Sequence, residues 1–218
     1  MVSKLGFESA TAAQAVRDKY FAMYHSTVKG LTMAEADGAL PAGANFEAQM
    51  LADWWADGLD FARYLTPNPT LIDSLRRSPL KLVAFTNAPR RYALKVLEAL
   101  QLREFFPDER IFSVEDTMPV CKPEPAAFAA VLEKVGSTAS ESVMIEDSMK
   151  NIRAAKQIGM RTVLVRGLGH NQAASEATKP GDAPEADDPA VDAVIAEAAE
   201  LESALPWLWQ PGRLHAAQ

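Results

Sequence analysis

With one cysteine, Cys121, in 218 residues, the chain has no intrachain disulfide framework, which suits a reducing compartment. Long apolar runs are also missing. No stretch approaches the roughly 18 continuous apolar residues of a membrane span, so no membrane partner is expected. Positive charge is in deficit, with 22 Lys and Arg against 29 Asp and Glu and a formal net charge of -7. A nucleic-acid backbone favours a basic face, so no nucleic-acid partner is expected either. Residues 1–13 contain no apolar core of a signal peptide. These absences describe a soluble cytoplasmic protein, with organellar import left open.

What remains is an ordinary globular balance, 48% hydrophobic and 23% charged. The length suffices for one sizeable core, or a core with a small insert. The chain changes character near Leu65. Over 12–63 the apolar residues Val16, Tyr20, Met23 and Tyr24, then Phe46, Met50, Trp54 and Leu59, recur at helical spacing, with Gly30, Gly38, Pro41 and Gly43 between. Thr66-Pro67-Asn68-Pro69 marks a boundary, because proline disfavours helix in the residue before it. From there helices at 70–77, 91–100, 125–135 and 150–158 alternate with apolar runs at 81–85, 110–114, 142–146 and 161–165. That alternation predicts an α/β fold, a parallel sheet with helices on both faces. The stretch 167–189 reads as a loop, 191–196 as a last edge strand, and Trp207 and Trp209 as cover for the core.

In such sheets ligands sit beyond the carboxyl ends of the strands, where Thr86, Glu146 and Asp147 fall, while a further polar motif, around Lys122, follows a strand and loop. Thr86, in Phe85-Thr86-Asn87, offers a hydroxyl and a turn of N–H groups to a phosphate oxygen, with Asn87 beside it as a substrate-binding candidate. The alternative is a cap for the helix that follows, and for Thr86 alone the cap reading is the stronger. Lys122 lies between Cys121 and Pro123-Glu124-Pro125, where two prolines stiffen the backbone around one ammonium. It serves either to neutralise phosphoryl charge or as a surface lysine before a helix. Glu146-Asp147-Ser148 closes an apolar run with two carboxylates, an arrangement suited to Mg2+, with helix capping as the alternative.

Taken together, Phe85-Thr86-Asn87, Cys121-Lys122-Pro123-Glu124-Pro125, Glu146-Asp147-Ser148-x-x-Asn151 and Gly159-Met160-x-Thr162-Val163-Leu164-Val165 resemble the haloacid dehalogenase (HAD)-like superfamily of phosphohydrolases. Phe85-Thr86-Asn87-Ala88-Pro89 and the helical stretch before it look like its pyrimidine 5′-nucleotidase branch. The resemblance implies a Rossmann-like core over 66–218 and an α-helical cap over 1–65. It implies that Thr86 binds the transferred phosphoryl group and Lys122 stabilises it. Glu146 and Asp147 serve Mg2+ in this reading, Asp147 being the better candidate. The substrate is then a small phosphorylated compound such as a nucleoside monophosphate, which Tyr20, Tyr24, Trp54 or Trp55 would have to face; at helical spacing these aromatics are more often core.

One expected motif is absent. The family attacks phosphate with an aspartate of an Asp-x-Asp-x-Thr motif ending the first, central strand. This sequence contains no Asp-x-Asp. Residues 1–13 do not read as a buried strand, and Asp53, Asp57, Asp60 and Asp116 do not supply an aspartate at a central strand end. The chain is therefore expected to be inactive as written, a truncated gene model or splice form being preferred to an evolved pseudoenzyme. A non-catalytic phosphate-binding protein and another phosphoryl-transfer enzyme are the alternatives. Without the central strand, the runs ending at Thr86 and Glu146 must close up, or face a gap filled by something else, or leave the chain marginally stable.

Overall fold

The computed structural model describes residues 1–167 and 185–210. In chain order these form α1 (Val2–Leu5), α2 (Ala10–Tyr24), α3 (Thr27–Ala36), α4 (Ala48–Gly58), α5 (Phe61–Tyr64), α6 (Pro69–Arg77), β1 (Ala84–Phe85), α7 (Arg90–Ala99), β2 (Ile111–Phe112), α8 (Val114–Thr117), α9 (Pro125–Val135), β3 (Val143–Glu146), α10 (Met149–Gln157), β4 (Arg161–Val165), β5 (Ala193–Ile195) and α11 (Leu201–Ala204). The mixed α/β class with parallel strand pairing is as the alternation predicts. Most of the expected loop at 167–189 lies outside the described residues. No described helix is long and apolar enough to cross a membrane.

By contact the chain divides into two compact units, Met1–Thr66 with Val83–Lys122, and Pro67–Leu82 with Pro123–Gln218. This division does not follow the 1–65 and 66–218 boundary read from the sequence. The first strand pair and its flanking helices associate with the N-terminal helices.

In the first unit, helices begin where short polar side chains satisfy the orphan N–H groups of a first turn. The Ser9 hydroxyl accepts from the Ala12 amide at the start of α2, and Ser26 accepts from Lys29 at the start of α3. Such caps stabilise by about 1 kcal/mol each. Helices α2 and α3 touch closely at Gly30, where a Cβ would come within 3.2 Å of the Tyr20 backbone. The core gathers Leu5, Phe7, Val28, Leu31, Phe46 and Leu51, with Trp54 and Trp55 packed against it. Strands β1 and β2 pair in parallel over two residues each. They are shorter than the runs at 81–85 and 110–114 predict, because β2 is pinched at both ends. A 3-10 turn at Asp108–Arg110 precedes it, and the Ser113 amide after it bonds Asp116 to begin α8.

In the second unit, β3, β4 and β5 form a parallel sheet in that order. Central β4 is buried on both faces, as parallel strands are when layers cover them. Val163 enters a cluster with Ile195, Leu201, Leu205 and Leu208, while Leu164 joins Met149 and Ile152. Trp207 and Trp209 pack against the first cluster, the cover expected of them. The observed limits of α9 and β4 coincide with those read from the sequence. β3 and β1 are not partners: the described strands form two ladders, β1–β2 and β3–β4–β5. Ile145 on β3 stays 40% exposed, unusual for a parallel strand.

Candidate active site

The polar motifs fall into two groups, one per unit: Thr86 at the end of β1 with Lys122 beyond α8, and Glu146-Asp147 at the end of β3. In the first unit, the Thr86 amide extends the ladder by donating to the Phe112 carbonyl (2.9 Å). Its hydroxyl accepts from the Ala88 amide at 3.0 Å, closing a local turn. The helix-cap reading fails in its detail. The N-cap of α7 is Pro89, without a side-chain cap, and the Arg90 amide instead donates to the Glu115 carboxylate at 3.0 Å. Two of the N–H groups in this turn thus have protein acceptors.

Asn87 spends its whole side-chain amide on the backbone. Its Nδ2 donates to the carbonyls of Lys122 (2.7 Å) and His25 (3.1 Å), and its Oδ1 accepts from the Lys122 amide (3.0 Å). Its own carbonyl accepts from the Ser26 hydroxyl at 3.3 Å. Asn87, expected to touch substrate, therefore clamps Lys122 from both sides and ties it to the α2–α3 junction. Lys122 is only 6% exposed, its ammonium 5.0 Å from the centroid of the Phe85 ring. A lysine this deep is rare unless something holds it there. Sequence reasoning missed His25 and Ser26 as supports. The signal was the Ser26 cap directly after His25, which takes a left-handed backbone conformation at the end of α2.

In the second unit, β3 delivers Glu146 and Asp147 to the turn before α10. The Ser148 side chain occupies the N-cap position without making a cap hydrogen bond. Glu146 satisfies the turn instead. Its Oε1 accepts from the amides of Asp147 (3.1 Å) and Ser148 (3.3 Å), and its Oε2 accepts from Asn151 Nδ2 (3.1 Å). Asn151 is 7% exposed, and its Oδ1 is buried with no donor among the described residues.

Three of the four acidic residues set aside as substitute nucleophiles are engaged elsewhere. Asp53 and Asp57 both bind Arg91, at 2.6 and 2.7 Å. Burial pushes the Asp116 carboxyl up, yet the Ser113 hydroxyl and amide and the Arg90 guanidinium outweigh it and hold the group below the usual carboxylate range. Among the described residues, no three His, Cys, Asp or Glu side chains cluster as a ready metal site.

A parallel α/β fold that carries polar and charged side chains beyond its strands is a frame for a hydrolase, and comparison names the family. The family model for haloacid dehalogenase-like hydrolases matches residues 14–159, and a second, HAD-hydrolase-like model matches 120–201. The chain belongs to the haloacid dehalogenase-like hydrolase family.

Among curated proteins it is 34% identical over 103 residues to a phosphoglycolate phosphatase of Pseudomonas syringae pv. syringae, covering 47% of this chain and 37% of the relative. To that of Pseudomonas putida it is 28% identical over 144 residues, covering 66% and 51%. The chain thus spans between about a third and a half of the length of these relatives. Among solved structures, a haloacid dehalogenase-like protein of unknown function from Agrobacterium tumefaciens matches at TM-score 0.57 and 19% identity, covering 96% of this chain and 88% of that one. L-2-haloacid dehalogenase of Xanthobacter autotrophicus matches at TM-score 0.55 and 22% identity, covering 88% and 81%. At these identities the likeness is one of fold.

Proposed function

We propose that the chain is a phosphatase-type member of this family that binds a small phosphomonoester through Thr86 and Lys122. The observation that carries the reading is Lys122, a nearly buried ammonium clamped on both sides of its backbone by Asn87. A cation fixed before the anion arrives costs no reorganisation on binding, which is what stabilising a phosphoryl group requires. Thr86 adds a hydroxyl at the end of β1.

A Mg2+-type cation takes hard oxygen ligands, often one or two carboxylates with waters and substrate phosphate. The Asp147 carboxylate and the buried, donorless Oδ1 of Asn151 fit that chemistry. When bound, such a cation supplies positive charge that offsets an anion's, and Asp147 would hold it.

The absence of Asp-x-Asp leaves no family-type aspartate to attack phosphorus, so these 218 residues are proposed to bind without hydrolysing. For the substrate, the aromatic residues that a nucleobase would need are committed. The Tyr20 hydroxyl donates to Asp37 at 2.8 Å, Trp54 and Trp55 pack on the core, and the Tyr24 ring stacks on Tyr20. This favours a compact phosphoester, such as the phosphoglycolate named for the relatives, over a nucleotide.

The test presents phosphoglycolate and a pyrimidine nucleoside monophosphate with Mg2+, reading thermal shift and phosphate release. A rise in melting temperature with phosphoglycolate and no release is expected. Stabilisation by the nucleotide alone would restore the nucleotidase reading, and release that survives Lys122→Met would overturn the proposal.

A further inference from the structure

We propose that Glu146 and Asn151 form a positioning pair that holds the Asp147 turn in shape, with Glu146 acting as brace rather than as the cation ligand expected from the sequence. Three hydrogen bonds carry the inference. Glu146 Oε1 takes the amides of Asp147 and Ser148, and Oε2 takes Asn151 Nδ2 from the first turn of α10. The first N–H groups of a helix need acceptors, and an N-cap side chain usually supplies one. Here the Ser148 side chain does not. The Glu146 carboxylate, at the last position of β3, instead ties down the amides of Asp147 and Ser148 just ahead of the helix.

The consequence is geometric. Glu146 closes a loop from strand end to helix, with Asp147 at its apex. The Asp147 carboxylate is presented by a turn whose backbone donors are already satisfied. Asn151, nine-tenths buried, fixes the far oxygen of the brace and leaves its own Oδ1 in the same buried surroundings. Supporting residues of this kind orient the ligand without binding the metal, and their loss typically costs about 10–100-fold in metal affinity. The role in cation binding rests on the reading proposed above; the brace itself does not.

Glu146→Gln separates the two roles. Glutamine keeps an oxygen for the two amides, and its NH2 can meet Asn151 once the asparagine amide turns over, whereas the negative charge is gone. Glu146→Ala removes the brace altogether. Two measurements on the 218-residue chain decide, after a thermal melt shows each variant folded.

The first is amide hydrogen exchange of the metal-free protein by NMR. Asp147 and Ser148 should exchange faster in Glu146→Ala and at the wild-type rate in Glu146→Gln. Unchanged exchange in Glu146→Ala overturns the brace. The second is titration with Mn2+ alone, read by electron paramagnetic resonance. Asp147→Asn should abolish binding, Glu146→Ala weaken it about 10–100-fold, and Glu146→Gln leave it unchanged. A loss in Glu146→Gln equal to that in Asp147→Asn, with exchange unaltered, makes Glu146 a ligand and overturns the proposal. If the wild-type chain takes up no Mn2+, the cation reading fails, and the exchange rates alone decide the brace.

Discussion

The two units each hold a charged residue in place, Lys122 beyond α8 in the first and Glu146 at the end of β3 in the second, by different means. In the first, β1 and β2 offer only two residues each, too little ladder to fix anything. Lys122 is instead fixed by side chain–backbone bonds, through Asn87 to the α2–α3 junction. In the second, β3 pairs with β4 over four residues, and β4 is buried on both faces. There the sheet sets the position, and Glu146 only trims the last turn. A short sheet needs polar clamps, whereas a long one delegates precision to its core.

That contrast can be broken most forcefully in the second unit. Leu164→Ala, at a position with no exposure, should cost about 2–5 kcal/mol in urea unfolding and loosen the Asp147 turn with it. In the first unit the polar clamp should matter more than its size suggests. Asn87→Ala removes the hydrogen bonds that it makes with the Lys122 amide and with the Lys122 and His25 carbonyls, and should cost about 1–3 kcal/mol while weakening phosphate binding. Asn87→Asp restores only the acceptor and should recover part of that loss.

A subtler comparison uses pH. Burial raises both Asp116 in the first unit and Asp192 in the second, but each ends below the usual range. Ser113 and Arg90 outweigh burial at Asp116, and Lys156 and Thr162 outweigh it at Asp192. Because the folded value lies below the unfolded one, near about 3.9, each contribution is complete above that pH. It fades as pH falls through the lowered folded value. Asp116→Asn should therefore flatten part of the acid limb of urea midpoint against pH and leave the Asp192 part in place. The smallest effect belongs to the exposed pair Arg77–Glu202, where Arg77→Gln should shift the melting temperature by no more than experimental error.

The sequence exposed the α/β fold and its carboxyl-end motifs because both depend on local pattern. Apolar runs of four or five residues between helices leave few architectures open, and α9, with Pro125 at its first turn and Gly136 after its last, carries its own limits. What was not legible depends on distant pairing. The residues of 81–83 read as strand, but strand needs a partner, and β2 is closed off by Ser113 and the turn before it. Asn87 read as a ligand residue because nothing local shows that Lys122, 35 residues on, would claim its amide. The bonds of Glu146 were hidden for a related reason: a carboxylate pair looks alike in sequence whatever backbone amides its members also hold.

The central claim is that Lys122 is a preset anion site. Calorimetric titration of the 218-residue chain with inorganic phosphate, in wild type and in Lys122→Met, tests it most directly. The account predicts that phosphate binds the wild type and that Lys122→Met abolishes it. Phosphate binding that persists in Lys122→Met would contradict the claim.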